Sequence, residues 1–204
     1  MTIQTGIGAS TDRTAELERR LREEIAARKR LVDIAVKLNS TLDAKKLLQL
    51  VMQLAAELLD AETSSLMLLD KETDELVIEV ATGMVGHKVV QRRIPVGAGI
   101  AGWTLANRQV AIIDDPRTDE RFFTDVGKAI SFETRNLLAV PLLVKDRAVG
   151  VVEVLNKRKG IGFTEWDAEL ASAFAALAAL AVDNASLYAQ LAEAVLTARL
   201  SYRF

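Results

Sequence analysis

Two apolar runs joined by a polar turn constrain this chain more than any other stretch. They lie within Asn136 to Lys157, NLLAVPLLVKDRAVGVVEVLNK. Leu137, Leu138, Val140, Leu142, Leu143 and Val144 do not alternate with polar residues, and neither do Val149, Val151, Val152, Val154 and Leu155. A strand with apolar side chains on both faces must be covered on both. The turn Lys145-Asp146-Arg147 is too short for a crossover, so the two strands pair antiparallel. The expected core is an antiparallel sheet with helices or ordered loops on each side.

The rest of the chain has to supply those covers. Its 204 residues fit one domain with extensions, or two small ones. Half of them are hydrophobic, enough for a sizeable core. A formal charge of -2 gives no whole-chain attraction to nucleic acid or to an anionic membrane, and neither is expected as a partner. The absence of cysteine excludes disulfides, thiolate metal sites, iron–sulfur clusters and thiol catalysis. The start lacks the basic segment and apolar run of a signal peptide. The most apolar run, Leu170 to Val182, is short for a bilayer span and mostly alanine. A soluble, cytoplasmic protein is expected.

Residues 1–11 read as a disordered tail. Residues 12–40 hold a long exposed helix, a candidate signalling helix. Glu16–Arg20, Glu18–Arg22 and Glu24–Arg28 support it as i,i+4 pairs in the better orientation. Leu17, Leu21, Ile25, Leu31/Val32, Ala35 and Leu38 form an apolar stripe that calls for a partner, most simply the same helix of a second copy. Asp43 can cap the next helix, Ala44 to Leu59, which turns Leu47, Leu50, Val51, Leu54, Ala55 and Leu58 inward. Strands follow at Ser64–Asp70, Leu76–Ala81 and Lys88–Pro95, the last polar enough for an edge. A glycine turn then opens a short helix to Asn107, and Gln109–Ile113 forms another strand.

Asp114 to Thr134 is a long polar segment with one short helix. Loops of this length inside a domain are usually binding loops or lids. The last helix runs from Glu165 to about Leu200. Its first half is apolar nearly all round and so buried on more than one side. A 4,3-spaced seam, Leu170, Phe174, Leu177, Ala181, Asn184, Tyr188, Leu191, Val195 and Ala198, argues for a coiled coil. Asn184 either fixes its register or is hydrogen-bonded within a monomer. Residues 41–190 form the domain, and residues 191–204 extend the helix beyond it.

Gly97-Ala98-Gly99-Ile100-Ala101-Gly102 matches the dinucleotide fingerprint G-x-G-x-x-G, but the following helix is far too short for the βαβ unit that motif needs. The glycines allow a tight strand-to-helix turn. The helix N-terminus near Ile100 and Ala101 would still offer N–H groups to an anion. Thr164 and Asp167 have the spacing of a capping box. His87 is the sole histidine, in a glycine-flanked loop, and with no cysteine supports no zinc site. Asp114, Asp115, Asp119, Glu120 and Asp125, with Arg117 and Arg121 interleaved, read as a self-paired acidic loop. No nucleophile elbow, P-loop or HExxH is present, so neither catalysis nor a metal is expected.

In order and spacing, several of these segments resemble the GAF domain family over about residues 30–190. They are LNSTLDAKKLL, SSLMLLD, IPVGAGIAGWTLANRQVAIIDD, DPRTDERF, Thr134-Arg135 before LLAVPLLV, VGVVEVLNK, and FTEWDAELASAFAALAALAVDNASLY. The resemblance implies an α+β fold, GAF/PAS-like: a six-stranded antiparallel sheet with helices on both faces, and long N- and C-terminal signalling helices that dimerise. It implies a sensory module that binds a small molecule, such as a cyclic nucleotide, haem or bilin. Binding would be transmitted through a homodimer's flanking helices to an output domain or signalling partner.

The phosphodiesterase-type pattern accompanying cyclic-nucleotide binding is matched by Asn156, Lys157, Phe163 and Asp167, and departs at Ala168. There it implies a structural lock, Lys157 to Asp167. The implied ligand contacts are Ser65, Ile100, Ala101, Asp115, Phe122 and Thr134, with a purine on Phe122 and a phosphate near Ile100. The lack of cysteine argues against a covalent bilin and against the thiol-dependent methionine sulfoxide reductases of this fold. Two further readings stay open: a dimerisation module with a vestigial pocket, and an enzyme built on this fold.

Overall fold

The structure is a computed structural model that describes residues 6–41, 43–82, 89–122, 132–159 and 162–201. His87, Phe123 and Asp125, the start of the tail and the tip of the turn after Lys159 lie outside the described residues.

The both-sided apolar runs do form the centre of the sheet. Strand β5 (Leu137–Val144) and strand β6 (Arg147–Lys157) pair antiparallel from Leu137↔Leu155 to Val144↔Arg147. Arg147 therefore belongs to the strand, and the turn is the two residues Lys145-Asp146, with Lys145 at φ 54°. A positive φ at the first turn residue matches the twist of an antiparallel pair. Outside this hairpin lie β1 (Ala61–Asp70), β2 (Glu75–Ala81), β3 (Arg93–Pro95) and β4 (Ala111–Ile113). The sheet has six strands in the order β3-β2-β1-β6-β5-β4, all antiparallel.

The edge strands are shorter than their sequences suggest. The expected strand from Lys88 shrinks to Arg93–Pro95, because Gln91 adopts φ 68° and turns the chain. Its N–H still reaches Ile78 O at 2.7 Å. The strand expected from Gln109 begins at Ala111, because Arg108 ends the preceding helix in the left-handed region and two residues are spent regaining the sheet edge.

One face of the sheet is covered by helices α1 (Gly6–Leu38), α2 (Ala44–Leu58) and α4 (Glu165–Ser201). Leu66, Leu138, Val140, Leu142, Val152 and Val154 point into this layer. Asp43 caps α2 by accepting from Lys46 N at 3.1 Å. The other face carries Met67, Leu76, Ile78, Leu137, Ala139 and Val151 against α3 (Gly99–Asn107).

Helix α1 starts at Gly6, six residues ahead of the expected Asp12. Arg20 pairs with Glu16, Arg22 with Glu18 and Arg28 with Glu24, all exposed. Its single sequence stripe resolves into two. Ala27, Ile34 and Leu38 are buried, while Leu17, Leu21, Ile25, Val32 and Val36 face outward, about a third of a turn away.

The long seam read along α4 is divided in the same way. Phe174 and Ala181 are buried in the helical layer, whereas Leu180, Leu187, Tyr188, Leu191 and Val195 are exposed. Two 4,3 frames overlap on this helix. The sheet takes one of them because α4 packs on β5 with its alanine face. By length and composition Glu165–Val195 could also cross a bilayer, but 44% of its most apolar window is buried inside this domain.

Phe174 is among the largest fully enclosed side chains. Phe174→Ala is expected to cost about 3–5 kcal/mol of unfolding free energy in urea. A loss below about 1 kcal/mol would contradict its place in the core.

Candidate functional site

A transverse row of residues crosses the sheet beneath α3. The register runs Ala81, Ser65, Glu153, Ala139, Ala111, each directly opposite the next. Residues directly opposite one another share a face, and Ala81, Ala139 and Ala111 pack with the α3 side. Four of the five side chains are small, so the row is a shallow trough. Glu153 is its only long side chain and its only ionisable one.

Ser65 Oγ donates to Glu153 Oε2 at 3.4 Å, a long contact. The Glu153 residue keeps some solvent contact, yet burial of its carboxyl is the larger influence. It pushes the pKa up from 4.5 to about 7, against the lowering effect of the Ser65 hydroxyl. Sequence reading missed Glu153. Its one signal was a charged residue inside an otherwise apolar run, Val151-Val152-Glu153-Val154-Leu155.

The roof above the trough is α3. Pro95 leads into Gly97 at φ 86° and Gly99 at φ 66°. Gly97 N donates to Gly102 O at 2.9 Å. A Cβ on Gly102 would sit 2.5 Å from Pro95 O, so the glycines are needed for this turn. Ala98 is the N-cap and supplies no side-chain bond. The first N–H groups of α3, at Gly99, Ile100 and Ala101, precede the first helical bond, Gly102 N to Ala98 O. Ile100, Ala101, Thr104 and Leu105 are buried along one side of the helix. Thr104 is 0% exposed, and its Oγ1 has no hydrogen-bond partner among the described residues.

The remaining sites expected from sequence are scattered around this layer. Phe122 is half-buried and packs on the cluster at the α3 side of the sheet, as does Phe132. Arg121 stacks 4.4 Å from the Trp103 ring centre and is held by both oxygens of Asp119. Asp115 caps a 3-10 turn, Pro116–Thr118, and both its oxygens are taken by Arg117. The Arg117 hydrogen bond holds its pKa below the usual carboxylate range. Thr134 is half-buried just before β5. Among the described residues, no three His, Cys, Asp or Glu side chains gather closely enough to hold a metal ion.

The end of β6 is a buried polar junction. Asn156 is 1% exposed and adopts φ 60°. Its Oδ1 accepts from Arg135 N at 2.7 Å, and its Nδ2 donates to Glu62 Oε2 at 2.9 Å and Glu133 O at 3.0 Å. It thus holds the segment flanking Thr134. Lys157 Nζ donates to Asp167 Oδ1 at 2.6 Å and lies 5.6 Å from the Phe163 ring centre. Asp167 Oδ2 accepts from Thr164 N and Oγ1, and Asp167 N donates back to Thr164 Oγ1, a capping box. At the other end of β6, Arg147 donates to Asp183 of α4 at 2.6 Å. The strand that carries Glu153 is therefore tied to α4 at both ends.

Comparison with known proteins follows the same outline. A family model described as "GAF domain" matches residues 43–182. A probable 3',5'-cyclic phosphodiesterase of Caenorhabditis elegans is 32% identical over 147 residues, which are 68% of this chain and 20% of that protein. A dual 3',5'-cyclic-AMP and -GMP phosphodiesterase 11A of Takifugu rubripes is 30% identical over 99 residues, 48% of this chain and 11% of that protein. The chain thus spans a fifth or less of these relatives. Among solved structures, the GAF domain of a phosphoenolpyruvate-protein phosphotransferase from Coxiella burnetii superposes with a TM-score of 0.72 at 19% identity, covering 80% of this chain and 96% of that one. A free methionine-R-sulfoxide reductase from Neisseria meningitidis gives 0.67 at 22%, covering 79% and 91%.

Two outcomes follow from this geometry. In the native state Glu153 keeps a proton that the unfolded chain releases between pH 4.5 and about 7. Its contribution to stability is complete below pH 4.5 and is lost as pH rises through 7. Glu153→Gln should leave the thermal midpoint unchanged near pH 4.5. Near pH 8 it should stabilise, by on the order of 2 kcal/mol. Calorimetric profiles that coincide at both pH values would remove Glu153 from this role. Asn156→Ala should cost about 2–4 kcal/mol in chemical denaturation. Asn156→Gly, which tolerates the positive φ, should recover only part of that loss. Full recovery would mean that the side-chain bonds contribute little.

Proposed function

Because the chain belongs to the GAF domain family, a regulatory small-molecule-binding module, we propose that the trough under α3 binds a ligand of the cyclic-nucleotide type. In this reading the bound state passes through α1 and α4 of a homodimer to an output domain, as a cytoplasmic signalling event. The observation that carries it is the small-residue row, whose polar members Glu153 and Ser65 lie on the α3 side of the sheet.

Each part has a chemical task. The N–H groups of Gly99, Ile100 and Ala101 would receive an anionic phosphate at the positive end of the helix. Phe122 would offer a ring face to a base, and Thr134 would close the side. Glu153 and the Ser65 hydroxyl would meet the ligand's polar edge, and a protonated Glu153 can donate as well as accept. Asp115 is the weakest of the contacts read from sequence, since Arg117 already occupies both its oxygens. The names of the relatives mention cyclic nucleotides, which supports this class of ligand. In this reading the module binds its ligand without turning it over.

Transmission rests on β6. A ligand that moves Glu153 loads a strand fastened to α4 by Lys157–Asp167 and by Arg147–Asp183. A ligand shifts such an arrangement only by its difference in affinity between two states. A second reading has one observation in its favour. Phe122 and Phe132 pack on the ligand-side cluster, and side chains that fill the space would make this a dimerisation module with a vestigial pocket.

Native mass spectrometry followed by thermal shift separates the two. Cyclic AMP or cyclic GMP at a hundredfold excess over its dissociation constant should stabilise the protein by about 2.7 kcal/mol. Phe122→Ala should weaken that binding by roughly 1–3 kcal/mol through lost stacking. A dimer with no retained mass and no shift with either nucleotide would favour the vestigial pocket.

A further inference from the structure

Glu153 is an acid in a neutral surround. On its own face of β6 its neighbours are Val151 and Leu155. Across the register stand Ser65 of β1 and Ala139 of β5. Diagonal to Glu153 on the same face lie Thr63, Met67 and Leu137. The buried side of α3 brings Ile100, Ala101, Thr104 and Leu105. None of these side chains carries a charge or titrates near neutral pH. The cations of the region are matched elsewhere. Lys157, further along the strand by about 13 Å, is held by Asp167. Arg117 is held by Asp115, and Arg121 by Asp119. Among the described residues, no cation pairs with Glu153.

We infer that the trough takes its anionic ligand together with one proton, which sits on Glu153 and is donated to a hydrogen-bond acceptor on the ligand. The inference rests on the ligand class of the proposed function. It adds which edge that ligand must present and what regulates its binding. A carboxyl in this setting ionises at the expense of its solvation and has one long hydroxyl bond in return. An anionic ligand raises that cost twice over. It brings a second negative charge, and it shuts out the solvent contact that Glu153 retains. The proton comes from solvent, and no bond within the ligand changes. Ser65 donates to Oε2, which leaves Oε1 to carry the proton. A ring nitrogen or a carbonyl oxygen of the ligand can accept from it.

Linkage sets the course with pH. In the free protein the neutral form of Glu153 predominates below about 7. With only that form competent, affinity is level well below this pH and falls by about tenfold per unit above it. A cyclic phosphodiester keeps its single charge throughout, so the ligand adds no slope of its own. The module then answers to pH as well as to ligand.

Titration calorimetry of the full chain with cyclic AMP and cyclic GMP tests this. Between about pH 6 and about pH 8.5 the affinity of the wild-type chain should fall roughly thirtyfold. At about pH 8, heats measured in Tris and in HEPES should differ by the uptake of close to one proton per site. Glu153→Gln cannot ionise, so its affinity should be the same at both ends of the range, whatever its absolute value. His87, which also titrates in this range, is intact in both proteins. Should Glu153→Gln fail to bind or to fold, Ser65→Ala assigns the proton instead. The Ser65 hydroxyl favours the carboxylate, so its loss should move the midpoint of the pH course upward. A wild-type affinity that stays level, with no proton taken up, overturns this inference and leaves the ligand class standing. A slope that survives in Glu153→Gln, or a midpoint that Ser65→Ala leaves in place or lowers, also overturns it. Absence of binding by either nucleotide at about pH 6 overturns the ligand class and this inference together.

Discussion

The burial of both faces of one antiparallel hairpin is the constraint from which the other parts follow. β5 and β6 carry apolar side chains upward and downward, so neither face can be left to water. The helical layer of α1, α2 and α4 meets the need on one side. Among the described residues, the cover on the other side is thinner: the short helix α3 and a 3-10 turn. That asymmetry is what makes a binding site physically reasonable there. A thick helical layer excludes ligands by close packing.

The hairpin, the caps and the sheet order of covers were legible in the sequence because each rests on local rules. Asp43 and the Thr164–Asp167 box have the spacing their bonds require, and those bonds are present. The short helix after the glycine turn is likewise where the spacing puts it. What was illegible depended on partners distant in sequence. The two overlapping frames on α4 are equally regular as patterns, and only the packing of Phe174 and Ala181 decides which of them is inner. Glu153 looked like an interruption of a strand. It becomes a site only when Ser65, 88 residues earlier, is brought opposite it. The edge strands shortened because Gln91 and Arg108 take positive φ, a choice that neither side chain announces.

The polar groups of the molecule fall into two kinds. Most are satisfied and rigid. Asn156 makes its three bonds to two segments, the run before β5 and Glu62 of β1, and Lys157 and Asp167 are enclosed together with their charges matched. Such fully connected groups fix one geometry and resist change. The groups facing the trough are of the other kind. Glu153 has a single long bond, and the leading N–H groups of α3 have no side-chain cap.

Thr104 belongs to that second kind and shows what it entails. Valine has the same shape and would fill the same space without a hydroxyl. With no partner for Oγ1 among the described residues, threonine costs about 1–3 kcal/mol of stability relative to that near-isosteric alternative. A sequence shaped only by the durability of its resting state would therefore carry valine at this position.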